Sequence, residues 1–263
     1  MGFPLKFGKQ VAREDLRIPF FHHFIQDVSL VPPPDTVDWS TLILMWYMLL
    51  NDTWGDCVDA GALHAILQMS TWAGAPLVPT DADALALYEA NGNFNPNAGL
   101  PGANPTDQGS VLLGQGGLIE YWMQNGIGCG GAVNRITGFL QLQINNVTNW
   151  QQGIYLFGGL LTGIQVPASL MANDQPPDIW NDFSGSPVGG HCIWINGYNR
   201  ASGLYKLVSW GRTYQATETF LRNTMDEAII VVDPVEMNAR GVNAAGISMA
   251  QLTTDMQALK MAA

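Results

Sequence analysis

Positive charge is scarce in this sequence. Lys and Arg number 11 against 22 Asp and Glu, and the formal net charge is −11. No Lys or Arg occurs between Arg17 and Arg135, an interval that holds eleven Asp and Glu. Proteins that bind nucleic acid neutralise phosphates with clustered Lys and Arg, so we expect no nucleic-acid partner. A neutral or cationic ligand suits this half of the chain better.

Cysteines and long apolar runs are also scarce. The three cysteines, Cys57, Cys129 and Cys192, are too few and too scattered for a disulfide framework. The longest apolar stretch, Leu42 to Leu50, is too short to span a bilayer. The N-terminus does not show the pattern of a secretory signal. We therefore expect a cytoplasmic protein with no membrane partner.

The composition is that of a folded protein. Hydrophobic residues make up 47% of the 263 residues and charged residues 13%, so the chain can bury a sizeable core in one large domain or two lobes. The predicted helices cover residues 57–72, 81–91 and 110–124, and the predicted strands cover residues 158–166, 191–198, 204–210 and 228–232. Helices followed by strands are typical of an α+β fold.

Two flanking segments lie outside this pattern. Residues 1–31 mix basic and aromatic residues and predict an arm packed onto the body or onto a partner, but not a pro-segment long enough to inhibit a cleft. Within the arm, adjacent His22 and His23 could bind a metal or serve the structure. Residues 234–263 predict a linker and a terminal helix that is exposed or binds a partner. Any assembly with other proteins is expected to use these two segments.

One stretch has the features of a nucleophile. A polar loop that begins at Asn51 ends at Cys57, which opens an apolar helix. Asp56 can cap this helix, and the positive end of the helix dipole favours a thiolate at Cys57. Asp56 and Asp59 add negative charge that disfavours it. Free cysteine is also a common core residue, so the loop alone leaves both roles open.

Four motifs, in the right order, resemble those of the papain-like cysteine peptidases. Pro34-x-x-Val37-Asp38-Trp39 is similar to the start of the mature enzymes, and Trp39 stands at the family's distance from Cys57. Gly55-Asp56-Cys57-Val58 replaces the family's Gly-Ser-Cys-Trp. His191-Cys192-Ile193 with Gly197-Tyr198 is similar to its His-Ala-Val-x-x-x-Gly-Tyr strand, and Val208-Ser209-Trp210-Gly211 is similar to its Asn-Ser-Trp-Gly turn.

The resemblance covers roughly residues 32–232 and implies a papain-like two-lobe α+β fold. The papain-like domain is expected over 32–233. Its helical lobe would cover about 32–130 and its antiparallel β lobe about 131–233, with a cleft between them. A cleft between two lobes is a usual place for a ligand site.

The resemblance also assigns roles to residues at the cleft. Cys57 is the expected nucleophile and His191 the general base and acid. Asn51 stands where the family has the glutamine that lines the oxyanion hole. The expected substrate wall consists of Gln108, Gly109, Gly189 and Gly190. No cofactor and no metal are implied, and a metal site of Cys57, His191 and Cys192 is not expected because neighbours on a strand point to opposite faces.

One departure leaves the function open between two classes. The family's Asn that orients the imidazole aligns with Val208, which cannot hydrogen-bond, so Ser209, Asn196 or a backbone carbonyl would have to replace it. Trp210 either shields the histidine or only packs. The first class is a thiol hydrolase, expected to be a cysteine peptidase acting on a peptide or protein. The second is a catalytically inactive papain-like structural or assembly protein, such as a phage virion component, since the motifs are similar to those of papain-like proteins from phage and bacterial genomes.

Overall fold

The computed structural model describes residues 5–11, 32–173, 175–234 and 248. The predicted terminal helix and the pair His22 and His23 lie outside the described residues. Among the described residues, five α-helices cover Cys57–Trp72 (α1), Asp81–Gly92 (α2), Leu118–Gln124 (α3), Val147–Phe157 (α4) and Glu218–Thr224 (α5). Short 3₁₀ turns cover Trp39–Leu42, Pro96–Ala98 and Ala168–Met171.

The strands of the described part form one large sheet and a small hairpin. They cover Thr36–Asp38 (β1), Ile127–Cys129 (β2), Ala132–Asn134 (β3), Gly138–Gln141 (β4), Leu160–Pro167 (β5), Ile179–Trp180 (β6), Pro187–Asn199 (β7), Leu204–Ser209 (β8), Arg212–Thr217 (β9) and Met225–Val232 (β10). The large sheet has the order β4-β10-β5-β7-β8-β9-β6, with β1 paired to β7, and β2 pairs with β3. All pairings between these named strands are antiparallel except that of β6 with β9.

The sheet is covered on both faces, and the two faces belong to different apolar clusters. On one face α1 packs against β7, where Cys192, Trp194 and Val208 join a core that contains Cys57 and most of α1. On the other face α4 and α5 cover Ile193, Ile195 and their neighbours. Because successive side chains of a strand alternate between faces, this division decides what each residue near His191 can touch.

The close approach of α1 to the sheet depends on a glycine. A Cβ on Gly61 would lie 3.1 Å from Cδ1 of Leu161 and 3.3 Å from Sγ of Cys192. A helix packed this closely brings its N-terminus, and with it Cys57, to the edge of β7. A buried polar bridge adds to the contact: the Gln68 side chain accepts from Trp194 Nε1 at 2.9 Å and donates to the carbonyl of Gly158 at 2.7 Å.

The predicted helix over 57–72 and the Thr80 cap of the second helix are confirmed. The helix predicted over 110–124 is wrong for its first part, since only Leu118–Gln124 is helical. Gly114 and Gly116 adopt positive φ angles of 110° and 71°, a conformation that breaks a right-handed helix. The loop predicted over 173–189 is also partly wrong, because it holds the short β6 and the start of β7.

Candidate active site

Cys57 is the first residue of α1 and lies at the end of a strained loop. Leu49 and Leu50 both have positive φ angles, 56° and 66°, which non-glycine residues rarely adopt and which cluster at functional sites. Asp56 occupies the cap position, but its side chain makes no capping hydrogen bond. Instead, Asn51 Nδ2 donates to Asp56 Oδ1 at 3.1 Å. The expected side-chain cap is therefore absent, and an amide–carboxyl contact braces the loop.

The His191 ring is completely buried in the sheet and held from two directions. Its Nε2 lies 2.6 Å from Ser209 Oγ, and its Nδ1 has no hydrogen-bond partner among the described residues. Trp210 stacks on the ring, with centroids 4.2 Å apart and planes 15° apart. This distance is compatible with either tautomer of the ring. In the tautomer in which the Ser209 hydroxyl accepts from Nε2–H, Nδ1 is the nitrogen that can take a proton.

A two-residue turn presents Trp210 to His191. Ser209 pairs with Arg212, so Trp210 and Gly211 form the turn between β8 and β9, and both have positive φ angles, 44° and 68°. This pattern matches the tight hairpin turns of twisted strands. A tryptophan held in this region costs about 1–3 kcal/mol, and here its indole covers the imidazole.

The alternation along β8 explains why Ser209, and not Val208, reaches the histidine. Val208 belongs to the core between the sheet and α1, whereas the side chain of Ser209 contacts His191 on the other face. The motif resemblance aligned the family's orienting residue with Val208. The structure instead brings the next residue to the ring.

The Cys57 thiol lies beside the backbone of β7. The backbone N–H of Cys192, the residue after His191, is close enough to the thiol to lower its pKa. The Cys192 side chain points to α1, since its Sγ would lie 3.3 Å from a Cβ built on Gly61. The thiol of Cys57 thus lies beside the strand position that carries His191. No group of three His, Cys, Asp or Glu side chains in the described part of the chain is arranged to hold a metal.

Burial keeps both groups uncharged in this form of the molecule. It raises the pKa of the Cys57 thiol to about 12, although backbone N–H groups of Cys192 and Gly8 oppose the rise. Burial also lowers the pKa of His191 to about 3. At neutral pH the pair is therefore a thiol and a neutral imidazole, not a thiolate and an imidazolium.

The acidic neighbours of Cys57 carry less charge than the sequence suggests. Burial, followed by the charge of Asp59, raises the pKa of Asp56 well above its usual value. Burial also raises the pKa of Asp59 to about 7, against hydrogen bonds from Ser110 and Asn91. Burial thus favours the neutral form of Asp56 and reduces the negative charge that this carboxyl places next to the thiol.

Two predicted roles differ from the contacts in the structure. Asn196 Nδ2 donates to Gln68 Oε1 at 2.8 Å, deep between the sheet and α1, so the prediction that Asn196 orients His191 is wrong. Asn51 directs its amide to Asp56 and, at 3.5 Å, to the carbonyl of Trp54. Its amide protons are therefore engaged within the loop and do not point to an oxyanion.

The N-terminal residues 5–11 lie in the cleft, along the predicted substrate wall. The backbone N–H of Gly8 lies close enough to the Cys57 thiol to lower its pKa, and the Gly8 carbonyl accepts from Ser110 N at 2.8 Å. Lys9 N donates to the carbonyl of Gly190 at 3.0 Å, and Gln10 N to the carbonyl of Ser110 at 3.0 Å. The segment lies parallel to the wall at Ser110 and spans the cleft from the helical side to β7.

The segment also covers the histidine. The Phe7 ring meets that of His191 edge to face, with centroids 6.0 Å apart. The carbonyl of Lys6 accepts from Trp210 Nε1 at 3.2 Å, and Lys6 N donates to the carbonyl of Asn51 at 3.2 Å. This segment thus contributes to the burial of Cys57 and His191.

The four predicted wall residues all lie along the segment. A Cβ on Gly109 would lie 1.6 Å from the carbonyl oxygen of Gly8, and one on Gly190 would lie 2.3 Å from that of Lys9. Gly189 packs against the Phe7 side chain, and Gln108 contributes its carbonyl to Gln10 Nε2 at 3.4 Å. The absent side chains make a channel that fits an extended backbone. Tyr88 and Asp107 hold the wall from behind.

The sequence predicted an arm packed onto the body or a partner, but neither its position in the cleft nor the part played by Ser110. Ser110 acts through its backbone, which carries no residue-type signal. The segment has one usable signal, Gly8 between Phe7 and Lys9, because a glycine in a basic and aromatic stretch indicates close backbone approach. A Cβ on Gly8 would lie 1.6 Å from the carbonyl oxygen of Gly55.

The chain has the fold of the papain-like cysteine proteases, and the predicted α+β architecture is confirmed. Xylellain, a cysteine protease from Xylella fastidiosa, aligns with 87% of this chain and 96% of its own at 13% identity and a TM-score of 0.66. The proform of cathepsin B S9 from Trypanosoma congolense aligns with 87% of this chain and 86% of its own, at 11% identity and a TM-score of 0.59. Procathepsin L 3 of the Tenebrio molitor larval midgut aligns with 88% of this chain and 77% of its own, at 12% identity and a TM-score of 0.59.

The likeness to these proteins is one of fold. No protein-family model and no curated protein sequence matches the chain. Among the helices that the structure describes, none has the length and apolar character needed to cross a membrane.

Proposed function

We propose that this protein is a papain-like cysteine peptidase held latent by its own residues 5–11. The observation that carries the proposal is the state of His191. Its Nε2 contacts Ser209, its Nδ1 is buried without a partner among the described residues, and the backbone N–H of the next residue lies close enough to the Cys57 thiol to lower its pKa. A nucleophile beside a base that a third group orients is the general arrangement of covalent hydrolases.

When residues 5–11 leave the cleft, Cys57 and His191 can act as a pair. His191 Nδ1 takes the proton of the thiol, and the thiolate attacks the carbonyl carbon of a peptide bond, forming a C–S bond. The C–N bond then breaks as the imidazolium gives its proton to the leaving amine. Water attacks the thioester and gives a proton to His191. The C–S bond breaks, an acid leaves, and the thiol is restored.

Three groups support this chemistry in the proposed open form. Ser209 accepts from Nε2–H and keeps Nδ1 toward the thiol, which is the role of the missing asparagine. Trp210 shields this hydrogen bond from water. The backbone N–H of Cys57, at the positive end of α1, is the donor for the developing oxyanion. Asn51 contributes a second donor only if its contact with Asp56 opens.

Substitution of Gly8 tests the proposal in the full chain. Gly8→Ala places a methyl group 1.6 Å from the carbonyl oxygen of Gly55, so the segment has to leave the cleft. We expect this variant to hydrolyse a mixture of fluorogenic peptides much faster than the unchanged chain. The combined variant Gly8→Ala with Cys57→Ala should be inactive.

The matched control is Gly128→Ala. Gly128 is an exposed glycine of β2 whose added Cβ would meet nothing within 4 Å, so activity should remain at the level of the unchanged chain. If Gly8→Ala folds, frees the segment and hydrolyses none of the peptides, the proposal is wrong. The inactive structural or assembly protein would then be the better account of the fold.

A further inference from the structure

A buried acidic pocket opens beside the candidate nucleophile, and Lys9 fills it. The Lys9 side chain is completely buried, and its Nζ lies 2.8 Å from Glu227 Oε1 and 3.1 Å from Asp226 Oδ2. The ammonium also donates to the carbonyl of Gln10 at 3.0 Å. Lysine is almost never fully buried unless it is paired, so this contact defines what the pocket accepts.

The pocket is built from two strands of the sheet. Asp226 and Glu227 belong to β10, and Gly163 belongs to the neighbouring β5. A Cβ on Gly163 would lie 2.0 Å from Lys9 Cε, so the missing side chain makes room for the lysine stem. Gln165 Nε2 donates to Asp226 Oδ2 at 2.7 Å and fixes that carboxylate.

The pocket needs a cation. The Glu227 side chain is only 2% exposed, and an isolated buried carboxylate is costly unless it finds a partner or takes a proton. Asp226 Oδ1 and Glu227 Oε2 have no hydrogen-bond partner among the described residues. The pocket therefore offers more acceptors than the ammonium of Lys9 uses, and a guanidinium has five donors to fill them.

The pocket lies one residue from the reacting position. The backbone N–H of Gly8 lies close to the Cys57 thiol, and Lys9, its neighbour, both donates to the carbonyl of Gly190 and reaches into the pocket. Any extended peptide that follows the same channel past Cys57 presents a side chain there. Residues 5–11 fill this channel in the structure, so a substrate has to displace them.

We propose that this pocket, formed by Gly163, Asp226 and Glu227, selects substrates that carry Lys or Arg next to the residue at Cys57. The proposal rests on the proposed peptidase function and names its substrate class. The self-bound Lys9 is then a mimic of the substrate side chain. The spare acceptors favour Arg at least as much as Lys.

The first test measures binding without turnover. The probe is a synthetic peptide with the sequence of residues 5–11, compared with an analogue that has norleucine in place of the lysine matching Lys9. The receptor is the full chain with Gly8→Ala and Cys57→Ala, measured by calorimetry. We expect the lysine peptide to bind about 30-fold or more tightly than the analogue, as for other buried charge pairs.

Two further substitutions in the same receptor separate charge from space. Glu227→Gln should remove most of the difference between the peptides and weaken only the lysine peptide. Gly163→Ala should weaken both peptides, because it fills the room needed by the stem. Equal binding of the two peptides, or no measurable binding of the lysine peptide, overturns the pocket.

The second test measures turnover by the full chain with Gly8→Ala. Fluorogenic peptides that differ only at the position expected in the pocket should show kcat/KM for Arg and Lys about 10-fold or more above that for norleucine. Hydrolysis without this preference overturns the pocket and leaves the peptidase function intact. Lysine-selective binding without hydrolysis overturns the peptidase function and leaves the pocket as a binding site.

Discussion

Two adjacent residues of the N-terminal segment are held by different forces. Gly8 is held by shape, since backbone groups of Gly55, Gly109 and Ser110 lie against it and Gly55 leaves no room for a side chain. Lys9 is held by charge in the pocket of Asp226 and Glu227. An added methyl group disrupts the contacts of Gly8, whereas the ion pairs of Lys9 weaken gradually as the pH changes. Gly8 therefore blocks the nucleophile, and the pocket of Lys9 recognises a side chain.

The largest effect is expected when a side chain is added at Gly8. Gly8→Ala should abolish the protection of the Lys9 and Gln10 amides, whose hydrogen bonds to Gly190 and Ser110 exist only while the segment is bound. Amide hydrogen exchange at these positions should accelerate on the order of 10²-fold. Gly128→Ala is the control and should leave the exchange unchanged. Retained protection in Gly8→Ala would show that the segment tolerates the methyl group.

The next effect concerns the open site. In the Gly8→Ala chain, Ser209→Ala should lower kcat by about 10- to 10²-fold, because the imidazole loses the group that holds its orientation. Ser209→Thr keeps the hydroxyl and should restore most of the rate. The variants are compared in kcat, KM and thermal unfolding. Equal losses for both variants would contradict an orienting role for the hydroxyl.

Breaking the charged contact should have a smaller effect. Lys9→Met keeps the stem and the backbone hydrogen bonds but leaves Glu227 without its cation, a cost that Glu227 can reduce by taking a proton. We expect amide exchange in the segment to accelerate about 10-fold. Combined with Gly8→Ala, the change should add little, because the two contacts hold one segment. Full additivity would show that they act separately.

The smallest effect is a dependence on pH. Burial raises the pKa of Glu227, and the charge of Lys9 lowers it in the closed form. Burial lowers the pKa of Lys9, but Glu227 and Asp226 outweigh it and raise that pKa, so Lys9 stays charged. Release of Lys9 lets Glu227 bind a proton more readily, and falling pH therefore favours release.

Between pH 7 and pH 5, segment amides of the unchanged chain should exchange about 3-fold faster after correction for the intrinsic rate. Glu227→Gln should remove this dependence, since its side chain cannot titrate. An unchanged dependence in Glu227→Gln would assign the effect to another group near the segment.

The comparison also shows which parts of the site the sequence could predict. The helix that begins at Cys57 is encoded by one continuous stretch, so its bounds could be predicted from local signals. The contact of Ser209 with His191 depends on the face to which β8 turns each residue, and the motif alignment pointed to Val208. Asn196 lies on the same strand as His191, but its amide is consumed by Gln68.

The segment could not be predicted because its contacts join residues far apart in the chain. Gly8, Gly55, Gly109 and Gly190 come from four separate regions, and a Cβ on Gly55, Gly109 or Gly190 would approach the backbone of the segment. Lys9 pairs with residues more than two hundred positions away. A single sequence shows such residues only as isolated glycines and charges.

The rate of Cys57 alkylation as a function of pH tests whether residues 5–11 keep the Cys57 thiol unreactive. Iodoacetamide adducts on Cys57 are mapped by mass spectrometry, with the buried Cys129 and Cys192 as references. In the unchanged chain, the raised pKa of about 12 predicts a rate that climbs with pH and reaches no plateau below pH 10. In Gly8→Ala, we expect a plateau at lower pH and labelling of Cys57 at pH 7 on the order of 10³-fold faster than in the unchanged chain. Identical profiles for the two chains, with Cys57 no more reactive than Cys129 or Cys192 in either, would contradict this expectation.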